Sequence, residues 1–181
     1  MQDSTLAWLT VMRTPLLGAA GMRRAIAACG SVEALLDCRP QQLVSFGLAP
    51  ESAAALANPP RALIEEDLRW CGDLGMELMP FTAPDFPAQL ADLPDAPALL
   101  LLQGRRELLA APQLAVVGSR TPTAAGRRIA RDLAAQLAAA GLVITSGMAR
   151  GIDTAAHEGA LSGHGGTIAI CGTGLDICYP P

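Results

Sequence analysis

The chain has 181 residues, 51% of them hydrophobic, enough for one good core or two small domains. No apolar run approaches the roughly 20 residues that span a bilayer, and Met1-Gln2-Asp3 has no basic leader, so a cytoplasmic globule without a membrane partner is expected. The net charge of −4 argues against a nucleic-acid partner until the chain is divided: residues 1–103 carry six arginines against twelve acids, and residues 104–181 carry seven against five.

Residues 1–75 predict a small all-α domain, with helices over 5–12, 21–29, 32–37, 41–44, 52–56 and 62–74 and breaks at Gly30-Ser31 and Pro59-Pro60. In the last helix Leu63, Ile64, Asp67, Leu68 and Cys71 form a stripe opposite Arg61, Glu65, Glu66 and Arg69. The stretch 42–48 resembles the glycine hairpin of helix-hairpin-helix or SAM-like modules, though its acidic surroundings favour a packed helical turn over a DNA contact. All 13 basic residues are arginine, and the five cysteines, Cys29, Cys38, Cys71, Cys171 and Cys178, form no Cys-x-x-Cys pair, so buried thiols are expected.

Residues 76–97 hold Pro80, Pro84, Pro87, Pro94 and Pro97 and predict a stiff, helix-free connector. The third segment, 98–181, opens with a strand over 98–102. It then alternates strand (114–117), helix (124–140, with Ile129, Leu133, Leu137 and Ala140 on one face), strand (142–145), helix (154–161) and strand (167–171). Right-handed crossovers make these three strands parallel, the first half of a doubly wound α/β sheet. Such a sheet leaves an edge and an apolar face uncovered, so a fragment, or completion by another chain, is expected.

Two strand-to-helix loops, Gly118-Ser119-Arg120-Thr121 and Ser146-Gly147-Met148-Ala149-Arg150-Gly151-Ile152-Asp153, then emerge at one sheet edge, where open α/β folds bind ligands. Main-chain N–H groups near Ser119 and Ser146, the N-terminus of the second helix, and the forks of Arg120 and Arg150 suit a phosphate. Taken alone, the second loop is equally compatible with an Arg150–Asp153 pair, with Asp153 capping the helix. Thr123 reads as a helix cap, and His157 as an imidazole fixed by Asp153 or a nearby carbonyl. The spacing lacks Gly-x-Gly-x-x-Gly, an acid ending the second strand, and a Walker A loop, which speaks against NAD or FAD. No nucleophile–base pair and no metal ligand set stands out, so neither catalytic residues nor cofactors are expected.

Four ordered blocks carry a family resemblance: Val116-Val117-Gly118-Ser119-Arg120; Ser146 to Asp153 with Ala156-His157; Gly159-Ala160-Leu161; and Thr167-Ile168-Ala169-Ile170-Cys171-Gly172-Thr173-Gly174-Leu175-Asp176-Ile177-Cys178-Tyr179-Pro180. With Phe86-Pro87-Ala88-Gln89-Leu90 and Asp95-Ala96-Pro97-Ala98-Leu99, the chain resembles the DNA-processing protein A family, DprA or Smf. The resemblance implies a SAM-like domain followed by an extended Rossmann-like domain, here cut within that domain. It also implies a non-catalytic protein that binds single-stranded DNA, protects it and loads the RecA recombinase in natural transformation, as a homodimer when full length. Carried over by motif, Gly118, Ser119, Arg120, Thr121, Ser146, Gly147, Arg150, Gly151 and Asp153 would line the DNA pocket, with Arg120 foremost.

The chain departs from the family pattern at Gly166 and His164, where a Gly-Gly-Lys-Thr-like run often stands, and at Ala125, often aromatic. Aromatic residues make up 3% of the chain, so base stacking is expected to be minor. The competing reading is a nucleotide-binding enzyme of the nucleoside-monophosphate phosphoribohydrolase type, on a related Rossmann fold. Its Pro-Gly-Gly-x-Gly-Thr-x-x-Glu signature is missing, although Gly172-Thr173-Gly174 lies where a sugar phosphate would dock.

Overall fold

A computed structural model describes residues 2–177, with side chains from Ser4 onward; Met1, Cys178 and Tyr179-Pro180-Pro181 lie outside the described residues. The chain divides after Gly104 into two units. No helix is long and apolar enough to cross a membrane among these residues.

The first unit is helical because short amphipathic stretches alternate with residues that start or stop a helix. It contains α1 (Gln2–Met12), α2 (Ala19–Cys29), α3 (Val32–Leu36), α4 (Pro40–Ser45), α5 (Pro50–Ala57) and α6 (Arg61–Asp73). Gly30 takes the left-handed conformation after α2, and Ser31 then caps α3 by accepting the Ala34 N–H at 3.1 Å. Pro40 and Pro50 open α4 and α5, where a missing N–H costs nothing. Leu9, Val11, Ile26, Leu35 and Leu43 are fully buried, and Ser52, also buried, donates its hydroxyl to the Pro15 carbonyl at 2.6 Å. In the turn between α4 and α5, the N–H groups of Gly47 and Leu48 return to the carbonyls of Val44 and Leu43, so neither faces outward to a phosphate.

Two sequence expectations for the middle of the chain are corrected. The proline-rich stretch is not helix-free or merely a connector: it carries β1 (Glu77–Pro80) and the single turn α7 (Ala88–Ala91). Proline tolerates both places, ending a short strand at Pro80 and preceding a helix at Pro87. Likewise the strand β2 (Leu99–Leu102), placed by the sequence at the head of the third segment, pairs antiparallel with β1. Phe81, next to β1, meets Trp8 edge-on with ring centroids 6.1 Å apart and carries the Arg23 guanidinium 4.8 Å above its ring.

The cysteines also differ from expectation. Cys71 is buried, Cys29 and Cys38 are half-buried, and Cys171 is exposed. Burial, then the Cys38 sulfur 3.7 Å away, push the Cys29 thiol up to about 11.

In the second unit a 3-10 turn (Arg106–Ala110) precedes β3 (Gln113–Ala115), α8 (Ala124–Ala139), β4 (Val143–Ser146), α9 (Ile152–Ser162) and β5 (Thr167–Ala169). The sheet is parallel in the order β3-β4-β5, with Leu114 opposite Ile144 and Thr145 opposite Ile168. Sequential right-handed crossovers place α8 and α9 on one face, and among the described residues β3 has no neighbour on its other edge. The buried side of α8 is an alanine row, Ala130, Ala134 and Ala138, whereas Ile129 and Leu133, the expected core face, are 64% and 46% exposed. The reason lies in α9. A Cβ on Gly159 would run into the Arg131 carbonyl and stand 3.0 Å from the Ala134 methyl. The two helices therefore touch through their smallest residues, and α8 must turn its alanines inward.

Candidate nucleic-acid interface

β3 and β4 end side by side, which brings the two loops together. The Val116 N–H continues the ladder to the Thr145 carbonyl at 2.9 Å, and the buried Ser146 hydroxyl donates back to the Val116 carbonyl at 2.6 Å. Beyond this point both chains leave the sheet.

The first loop is shaped by Ser119. Its hydroxyl oxygen accepts the Thr121 N–H at 3.1 Å, and its carbonyl accepts the Ile152 N–H, the first of α9, also at 3.1 Å. Gly118 is required here, since a Cβ would stand 2.8 Å from the Ile152 side chain. Thr123 caps α8 by accepting the Gly126 N–H at 3.1 Å, as its position in the sequence predicts. Arg120 stands exposed at the tip of this fixed turn, and among the described residues its N–H and that of Ser119 have no internal acceptor.

The second loop is shaped by Asp153. One carboxylate oxygen accepts the N–H groups of Gly147 at 3.2 Å and Ala149 at 3.3 Å. Thr154 gives both its N–H and its hydroxyl to the Ala149 carbonyl, at 3.2 and 2.8 Å. Gly151, at φ +92°, faces the Ser119 carbonyl and the Pro122 ring so closely that any Cβ would collide with them. Arg150 is exposed beside it.

The structure thus joins the two predicted loops through the main chain and leaves Gly118, Ser119, Arg120, Thr121, Gly147 and Arg150 exposed, with Ser146, Gly151 and Asp153 buried beneath. One expectation changes. The N–H groups of Ile152 and Thr154, which the sequence assigns to a bound anion, are already given to Ser119 and Ala149, and Asp153 reaches back to the loop instead of capping α9. At the first loop the donors left for an anion are the Arg120 fork and the Ser119 and Arg120 amides.

His157 is buried, and its partner is neither Asp153 nor a carbonyl. Nδ1 lies 2.7 Å from the Thr167 hydroxyl, which donates its own proton to the Ile144 carbonyl at 2.7 Å, so Nδ1 carries the hydrogen. Burial holds this imidazole below its ordinary pKa, partly opposed by the charge of Asp153.

Sequence reasoning missed the Ile152–Ser119 and Gly151–Ser119 contacts that fix the loops together. It also missed an open groove of about 790 Å³ beside them, lined by Pro122, Arg127, Arg128, Arg131, Asp132 and Glu158. The spacing Arg127-Arg128-x-x-Arg131 on a helix was its visible signal.

The sequence pattern of the family described as DNA recombination-mediator protein A matches residues 77–181. Protein Smf of Escherichia coli is 39% identical over 138 residues, covering 76% of this chain and 37% of that protein. DNA processing protein DprA of Streptococcus pneumoniae is 47% identical over 95 residues, covering 52% of this chain and 33% of its own length. The chain therefore spans about a third of each of these two relatives.

Among solved structures, DprA from Streptococcus pneumoniae superposes on 97% of this chain and 60% of its own, with a TM-score of 0.80 at 28% identity. DNA processing protein A from Helicobacter pylori, whose structure is described in terms of its single-stranded DNA binding mode, covers 58% of this chain and 46% of its own, with a TM-score of 0.51 at 34% identity. The helical unit, the parallel sheet, the paired loops and these matches agree: the chain belongs to the DNA recombination-mediator protein A family, DprA or Smf.

Proposed function

We propose that this chain binds single-stranded DNA through backbone phosphates at the paired loops, without catalysing a reaction on it. The observation that carries this reading is Arg120 itself: an exposed guanidinium on a turn pinned from both sides by Ser119, flanked by two unused amides. A planar fork of donors carried on a pinned turn suits a phosphate, and the scarcity of aromatic residues suits binding that reads no sequence. Arg150, Gly147, Gly118 and Thr121 complete the contact surface, while Ser146, Gly151 and Asp153 hold its shape. The Helicobacter pylori neighbour supports the choice of ligand. Protection of incoming DNA, hand-over to RecA in natural transformation and homodimer formation are proposed for the whole protein, consistent with family membership.

The test is fluorescence anisotropy of this chain with labelled oligothymidylate across a salt series. Each lost phosphate contact to a single strand flattens the plot of log affinity against log salt by roughly 0.7. Arg120→Ala is expected to lower affinity about tenfold, the scale of a lost hydrogen bond to a charged group. Unchanged affinity would remove the pocket assignment.

A further inference from the structure

The groove between α8 and α9 contains more positive charge than its surroundings neutralise. Arg127, Arg128 and Arg131 lie within little more than one turn of α8, all exposed, and among the described residues none of the three guanidinium groups forms a hydrogen bond or ion pair. Asp132 and Glu158 line the same groove, so three guanidinium groups face two carboxylates, and neither acid lies within ion-pair distance of an arginine. Arg127 and Arg131 are four residues apart on one helix, a spacing at which like charges repel. A phosphate between them would remove that repulsion. Isolated arginines on a solvated helix face are ordinary, but these three line a concave surface large enough for a nucleotide.

The groove is also continuous with the paired loops. Pro122, two residues after Arg120, forms one of its walls and is the residue whose ring packs on Gly151. A strand held by its phosphate at Arg120 therefore has a basic channel immediately beside it.

We propose that the α8–α9 groove is a second phosphate-binding site, in which Arg127, Arg128 and Arg131 take the backbone of single-stranded DNA that extends beyond the Arg120 loop. This rests on the single-stranded DNA reading above. It predicts a length dependence: short strands use the loops alone, and longer ones use both.

The experiment is anisotropy of this chain with labelled oligothymidylates of about 6 and about 25 nucleotides, bracketing common single-strand site sizes, between about 50 and about 200 mM salt. The triple variant R127Q/R128Q/R131Q is compared with Arg120→Ala and the parent. The triple variant is expected to bind the short strand like the parent, to bind the long strand several-fold more weakly, and to lose roughly 2.1 from the long-strand salt slope for three lost contacts. Arg120→Ala is expected to weaken both lengths.

A triple variant indistinguishable from the parent on the long strand overturns the groove while leaving the loop reading intact. Equal weakening on both lengths also overturns it, since the arginines would then act only as a general field. A parent chain that binds neither strand overturns both readings together. Arg131→Glu alone, checked for an unchanged melting temperature, serves as a second variant and is expected to weaken long-strand binding further than removing that one charge.

Discussion

In the helical unit Leu9, Ile26, Leu35 and Leu43 are fully buried, whereas the interior of the α/β unit is Ala134, Ala138, Ala156 and Ala160 around Ile144. The surfaces differ in the opposite sense. Residues 1–104 hold twelve acids and six arginines, while the 77 residues that follow hold seven arginines and five acids. Large side chains bury more apolar area each, about 1.5–3 kcal/mol for a leucine, so the first unit draws its stability from side-chain volume. The second gains it from close backbone approach, which requires glycine and alanine at fixed places and leaves arginines for the outside. The comparison separates the part whose core is built from large side chains from the part proposed to meet an anion.

Three substitutions test that separation. The largest effect is expected at Gly151→Val, where a side chain is strained at φ +92° and collides with the Ser119 carbonyl and Pro122. A loss on the order of 4 kcal/mol or more in the α/β unit is expected, with DNA binding abolished. Trp8 and Trp70 both lie in the helical unit, so their fluorescence should report an unaltered transition there while far-UV circular dichroism reports early loss of the other unit. A single shared transition would break the comparison.

Leu35→Ala is expected to cost about 3 kcal/mol, the middle of the range for emptying a fully buried leucine site. It should lower the tryptophan-detected midpoint in urea and leave oligothymidylate affinity within twofold when assayed well below the transition. Reduced affinity at full folding would show that the units share the task.

The smallest effect concerns His157. Its folded pKa lies below the ordinary 6.5, so the unfolded chain takes up the proton first as pH falls. The stability owed to the neutral imidazole is complete above about 6.5 and is lost progressively as pH drops toward the folded value. Urea midpoints measured from pH 8 to pH 5 should decline for the parent and decline less steeply for His157→Gln. Parallel curves would mean that the imidazole is not held neutral.

Much of this arrangement was legible in the residues. The paired loops, the parallel strands and the helix cap at Thr123 follow from glycine, threonine and apolar runs whose meaning is local. The features that were not legible depend on contacts between distant segments. The β1–β2 pair was hidden because prolines dominate residues 76–97, and nothing near Pro80 announces that Leu99 will lie opposite it. The inward face of α8 was misjudged because Ile129 and Leu133 carry the hydrophobicity, while the deciding partner, Gly159, lies on another helix. Asp153 was placed as a cap by its position at the start of α9, but the left-handed turn at Met148 brings the Gly147 and Ala149 amides within its reach first.

The alanine and glycine seam between α8 and α9 acts as a calliper. Each arginine-bearing turn is the entrance to one of these helices, and the Ile152–Ser119 hydrogen bond ties the two entrances together. A single methyl group added at Gly159 would spread the helices at their middle and so pull against the hydrogen bond that joins the two entrances.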